Sequence, residues 1–245
     1  MAWAQDAPSD IPPPPPPPSD EFVITVMPYA WLAGVSGPAE VAPGLPRPDV
    51  DSSGGSIFDN LDFFGFAVGE VNKGEWGALV DVAVVSLTFD EDVTFRDGPT
   101  LLSGELGIDG TVLTLEGFYR FKPKPEVDID LLAGVRAFWL DLDLQVEGPL
   151  GGTLFDGQAD DVWADVVVGG RVRWTPGRWK LVAQADIGGG SDTSNWGAML
   201  AAHYQVTESF GVVGGYRWLE FDYSKNQRDV NLTLDGPLIG ASWTF

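Results

Sequence analysis

The arginines of this chain recur in one local pattern. A glycine stands two positions ahead in Gly134/Arg136, in Gly169/Arg171 (with Arg173 following) and in Gly215/Arg217, and Arg120 extends the set. Each lies in a run that alternates apolar and polar residues. Alternation of period two puts residues i and i+2 on one face of a β-strand. The carboxylates that fall on the same inferred face are Glu70, Asp81, Glu116, Asp130, Asp165 and Asp186, and Lys180 joins the cations. Charges enclosed in a narrow space of low dielectric must be paired or hydrated. Two chemistries fit them. One is a salt-bridged polar core that holds a barrel in shape, and the other is a charged constriction that passes small solutes or ions. The same residues serve both, and the first is the expected reading.

Other chemistries find less material. Cysteine is absent, which removes disulfides, thiolate metal sites and thiol nucleophiles. The single histidine, His203, falls on the inward face only a few residues before the short turn at 207–209, and no serine lies at a matching depth for a Ser/His/Asp arrangement. Acidic pairs occur at Asp49/Asp51, Asp90/Glu91/Asp92, Asp141/Asp143 and Asp160/Asp161, without the spacing of a calcium loop. They read as solvated charge. A weaker expectation is that Asp141, Asp143, Glu220 and Asp222 share divalent cations with lipid phosphates. Neither a catalytic site nor a metal or cofactor is expected. The balance of 14 Lys+Arg against 36 Asp+Glu, net −22, argues against nucleic acid as a partner.

The elements that would carry these residues are strands. Thirty-one glycines favour strands and turns over helices. No run of eighteen apolar residues occurs, so a transmembrane helix is excluded, but a transmembrane barrel hides from hydropathy windows because its two faces alternate. Apolar-alternating segments are expected at 22–35, 59–71, 76–89, 109–121, 127–146, 161–174, 179–187, 195–206, 210–223 and 230–245. Short connections at 72–75, 122–126, 175–178 and 207–209 alternate strictly with mostly longer, acidic or glycine-rich ones at 36–58, 90–108, 147–160, 188–194 and 224–229. That alternation marks an up-and-down barrel with turns at one end and loops at the other.

Within the strands one face is wholly apolar, as in Trp179, Leu181, Ala183, Ala185 and Ile187 against Lys180, Val182, Gln184 and Asp186. Aromatic residues collect at strand ends: Trp76, Trp174, Trp179, Trp196, Tyr204 and Phe245. A soluble sandwich would place large rings mid-strand, whereas rings at strand ends form the girdles where a membrane barrel meets lipid headgroups. The expected fold is therefore all-β, an antiparallel up-and-down transmembrane β-barrel of about ten strands spanning 21–245, with eight or twelve as the alternatives.

Four stretches carry a resemblance: the ending "GPLIGASWTF", the opening strand "PYAWLAGVSG", and the strands "LAGVRAFWLDLDL" and "VGGYRWLEFDY". With them the chain resembles the Gram-negative outer-membrane β-barrel proteins, small porin-like and OmpA-like barrels among them. The resemblance implies a cell outer membrane location, contact with outer-membrane lipid and lipopolysaccharide, and no enzymatic activity as the default. It also makes Ile239, Ala241, Trp243 and Phe245 an insertion signal read by the barrel-assembly machinery. OmpA-type proteins carry a C-terminal peptidoglycan-binding domain; none is expected here, so cell-wall anchoring is not implied. The ten-strand count brings the omptin proteases into view, but His203 lies at the periplasmic end, the wrong side for their chemistry. Residues 1–20 read as a signal-peptide remnant ("AWA") followed by a disordered, proline-rich periplasmic segment whose seven consecutive prolines favour a stiff polyproline rod.

Overall fold

The computed structural model describes residues 21–38, 49–52, 61–94, 101–147, 152–225 and 228–245. The proline-rich segment 1–20 and most of 36–58 lie outside the described residues. So do the side chains of Asp49, Asp51, Asp90, Glu91 and Asp92.

Every regular element among the described residues is a strand: β1 (Val23–Trp31), β2 (Gly34–Pro38), β3 (Asp49–Ser52), β4 (Leu61–Lys73), β5 (Trp76–Thr94), β6 (Leu101–Lys124), β7 (Val127–Glu147), β8 (Thr153–Trp174), β9 (Trp179–Gly189), β10 (Thr193–Gln205), β11 (Phe210–Lys225) and β12 (Arg228–Thr244). Pairing runs antiparallel from β1 through β4 and onward in chain order to β12. The pairing of β1 with β12 (Thr25 opposite Thr244, Trp31 opposite Leu238) closes a ten-strand barrel. After a two-residue break, β2 resumes along β12, with Gly34 opposite Asp235, and β3 folds back on β2. At the seam Phe245 and Ile24 exchange both backbone hydrogen bonds, at 2.8 and 3.1 Å. Closure removes sheet edges, which is the condition for a sheet to cross hydrocarbon.

The short turns fall where the spacing predicts. Gly74 (φ 62°) and Gly177 (φ 64°) supply the left-handed residue in two of them. The opposite end differs from expectation. Strand pairing continues through the acidic stretches read as loops, from Thr94 opposite Leu101 along the whole β5–β6 ladder and from Glu147 opposite Thr153 along β7–β8. Strands β5 to β8 therefore have 19, 24, 21 and 22 residues, about twice the 9–11 that cross a bilayer. They rise as a wall beyond the membrane band. The stretches 90–108 and 147–160 are acidic or glycine-rich, a composition that reads as loop although the ladders run on through them.

The exterior is apolar. Leu131, Val162, Val166, Ile187, Leu200 and Ile239 all point outward and are exposed. Aromatic rings flank this band. At the turn end Trp76 packs on Tyr119, Trp179 on Tyr204 and Phe210 on Trp243, with ring centroids 4.8–5.2 Å apart. At the other end Trp139 and Trp196 are exposed, and Tyr216 packs on Trp218. An exposed apolar belt between two aromatic girdles is the outside of a membrane-spanning barrel.

Candidate functional site

The candidate site is the lumen. All eleven lumen charges expected from sequence point inward, and five of them (Glu70, Asp81, Arg171, Arg173 and Arg217) meet through contacts that cross the bore. Next to the turn end, Glu70 and Asp130 hold three arginines. Asp130 accepts from Arg120 Nε at 2.8 Å and from Arg171 Nε at 2.9 Å, and it ion-pairs with Arg171 Nη2 at 2.8 Å and Arg173 Nη2 at 2.9 Å, two nitrogens that make no hydrogen bond. Glu70 takes the other ends: Arg120 at 3.2 Å, Arg171 at 2.9 Å and Arg173 at 3.0 Å. Strands β4 and β8 are four steps apart around the ring, so the Glu70 contacts with Arg171 and Arg173 bridge opposite walls. Arg120 and Arg171 also lie over the Phe118 ring, at 4.9 and 5.1 Å.

Two further groups complete the network. Arg217 on β11 reaches Asp81 on β5 at 2.7 Å, and Tyr29 donates to the same carboxylate at 2.9 Å while accepting from Arg217 Nη1. Arg136 spends its guanidinium on three partners: Nε on Thr114 (3.0 Å), Nη1 on the Asn195 carbonyl (2.6 Å) and Nη2 on Asp186 (2.7 Å). Asp165 has no arginine. It accepts from Asn195 Nδ2 at 2.6 Å and from the Thr193 hydroxyl. The amide of Asn195 thus links Arg136 to Asp165. Tyr29, Thr114, Thr193 and Asn195 were not picked out from sequence, because a neutral partner has no charge signature. Glu116 stands apart: it is 3% exposed, and neither carboxylate oxygen accepts a hydrogen bond.

The glycines ahead of the arginines stand against neighbouring backbone. A Cβ at Gly134 would overlap the Leu115 carbonyl of the neighbouring strand. At Gly169 a Cβ would come within 2.6 Å of the Ala185 carbonyl, and at Gly215 it would run into the Leu200 carbonyl. They let adjacent backbones approach closely at the level of the network.

The lumen is also more apolar than its charges suggest. One cluster groups Met27, Tyr29, Trp31, Val182, Leu219 and Leu238, and a second groups Leu79, Phe118 and Leu132. A third stands on the outer side of the charges. Phe138 stacks on Trp163 at 4.8 Å and meets Phe221 at 5.5 Å, and Trp163 meets Tyr223 at 4.9 Å. Strands β7 and β11 are four steps apart, so the Phe138–Phe221 contact spans the bore. Phe138, Phe221 and Tyr223 are all buried. These rings form a septum.

Two spaces lie among and beside these charges. A cavity of about 120 Å³ is lined by Glu116, Asp186, Arg171, Lys180 and His203 among others. A second, at the turn end, is lined by Arg178, Glu208 and Thr244 and again by Lys180 and His203. His203 sits opposite Lys180 in the β9–β10 register.

No protein-family model matches the chain, and no curated protein matches it. The solved structure of the outer membrane protease OmpT from Escherichia coli overlays 92% of this chain and 97% of its own, with TM-score 0.53 and 11% identity. The fold is that of an outer-membrane β-barrel. Two further matches are looser overlays: Ail, the attachment invasion locus protein of Yersinia pestis (TM-score 0.34, 10% identity, 92% of this chain and 99% of that one), and a major outer membrane protein from Thermus thermophilus (0.40, 12%, 92% and 100%). With its apolar belt and aromatic girdles, this barrel is an outer-membrane protein.

Proposed function

We propose that this protein is a closed outer-membrane barrel that does not conduct, with a structural or surface-interaction role carried by the raised wall of β5–β8. The observation that carries the reading is the septum of Phe138, Trp163, Phe221 and Tyr223, whose rings meet across the bore. The arginine–carboxylate network beneath it supports the same conclusion, since its bridges tie opposite walls together rather than lining an open channel. The wall's outer face is strongly acidic: Asp109, Asp141 and Asp160 stand in one row across β6, β7 and β8. Like charges directly opposed cost stability, so such a row suits a role outside the membrane. The lipid-facing belt would contact outer-membrane lipid and lipopolysaccharide, and the alternating Ile239, Ala241, Trp243 and Phe245 edge would be what the barrel-assembly machinery reads.

Proteolysis, the activity of OmpT, finds no support in this chain. His203 stands beside the turn-end space, on the opposite side of the septum from the raised wall. A liposome-swelling assay tests the closed reading. Vesicles carrying the refolded protein should swell in small sugars and amino acids no faster than protein-free vesicles. Swelling that depends on solute size would favour the alternative, a narrow porin-like pore.

A further inference from the structure

Two lumen charges are left over once the network is assembled, and they face one chamber. Glu116 is the carboxylate without a donor. The guanidiniums nearest to it in the network are ion-paired elsewhere, Arg136 with Asp186 and Arg171 with Asp130 and Glu70, and no nitrogen of either donates to Glu116. Lys180 is the cation without an acceptor: among the described residues its ammonium makes no hydrogen bond or ion pair, and the residue is exposed inside the lumen. Both line the 120 Å³ cavity, whose apolar wall includes Met27, Val68, Leu79 and Met199. That cavity shares Lys180 and His203 with the space at the turn end, which is the side nearest to the chamber.

We infer that this chamber is a binding site for a small zwitterion of the amino-acid type, its ammonium at Glu116 and its carboxylate at Lys180. A buried carboxylate without donors is costly, and an ammonium supplies three. A simple cation would meet Lys180 at the entrance and leave it unpaired, while a simple anion would satisfy Lys180 and leave Glu116 as it is. A zwitterion answers both and adds no net charge to a lumen whose five arginines and Lys180 match six carboxylates. The cavity is well below the roughly 300–1,000 Å³ of drug-sized ligand sites, which limits the ligand to a few heavy atoms, and the apolar wall suits a short aliphatic portion. Binding here requires no conduction and goes beyond the closed-barrel reading.

The test is calorimetric titration of the refolded full-length chain in detergent micelles with glycine, β-alanine and 4-aminobutyrate, which step up the charge separation. Methylamine and acetate serve as half-ligands. One zwitterion is expected to bind at least about tenfold more tightly than either half-ligand, and Glu116→Gln and Lys180→Met should each weaken it by about tenfold or more, one decade being ~1.4 kcal/mol. Heat-modifiable gel mobility verifies that each variant is folded, and Lys180, being exposed, gives a variant that removes no buried side chain. Absence of binding by all three zwitterions at millimolar concentration would overturn the assignment. So would affinity unchanged in Glu116→Gln, or methylamine binding as tightly as any zwitterion. The sugar arm of the vesicle measurement above reads conduction without these ligands, so failure of the two readings is distinguishable.

Discussion

Replacing Asp130 with asparagine tests the buried network at its centre. Asp130 is 0% exposed and meets four guanidinium nitrogens at 2.8–2.9 Å. Asparagine keeps the shape and removes the charge, leaving Arg120, Arg171 and Arg173 to share Glu70. Removing one partner of a buried ion pair costs about 3–5 kcal/mol. The side chains of Glu70 and Arg173 retain 13% and 10% exposure toward the turn end, and hydration there favours the lower bound. We expect a loss of about 3 kcal/mol, more than a hundredfold in the folded-to-unfolded ratio. Urea unfolding of the refolded barrel in phospholipid vesicles, followed by tryptophan fluorescence, reads this directly. Asp141→Asn is the control: Asp141 faces outward between Asp109 and Asp160, so its removal should leave stability unchanged or raise it. In the double variant Asp130→Asn/Arg173→Met, loss of one cation should recover about 1 kcal/mol or more. An Asp130→Asn change under about 0.5 kcal/mol, or strict additivity in the double variant, would refute the reasoning.

Three further outcomes follow from the geometry. Gly134→Ala forces β6 and β7 apart, because the added methyl overlaps the Leu115 carbonyl; urea unfolding should show a loss of about 1–3 kcal/mol, whereas Gly152→Ala, with nothing within 4 Å, should be neutral. Brominated lipids should quench Trp174, Trp179 and Trp243 most strongly when the bromine lies near the headgroups, and a maximum at the bilayer centre would contradict the girdle. Deleting Phe245 removes two backbone hydrogen bonds at the β1–β12 seam and should slow insertion into vesicles severalfold by the gel-mobility assay, and an unchanged rate would count against the seam's role.

The transmembrane part of this fold was legible in sequence because lipid demands an unbroken apolar face, which strands such as Trp179–Ile187 display. Turn positions were legible from "NKGE" and "TPGR", where glycine supplies a conformation other residues avoid. Much of the raised wall was not, since 90–108 and 147–160 have the acidic or glycine-rich composition of loops. Inside the barrel the eleven charged residues could be placed on the inward face by counting in twos. Their partners could not be assigned, because pairing such as Arg173 with Glu70 depends on which walls face each other across the bore. The septum was missed for a related reason. Phe138, Trp163 and Phe221 are ordinary inward positions in sequence, and only closure of the ring brings them together. The isolation of Glu116 is likewise invisible until every neighbouring guanidinium has been assigned.

The central claim is a bore sealed by that septum, and planar-bilayer recording tests it most directly. The parent protein should give no discrete current steps, while Phe138→Ala/Phe221→Ala, folded by gel mobility, should give small, reproducible ones because the contact across the bore is gone. Discrete steps from the parent, with conductance unchanged in the double variant, would contradict the account.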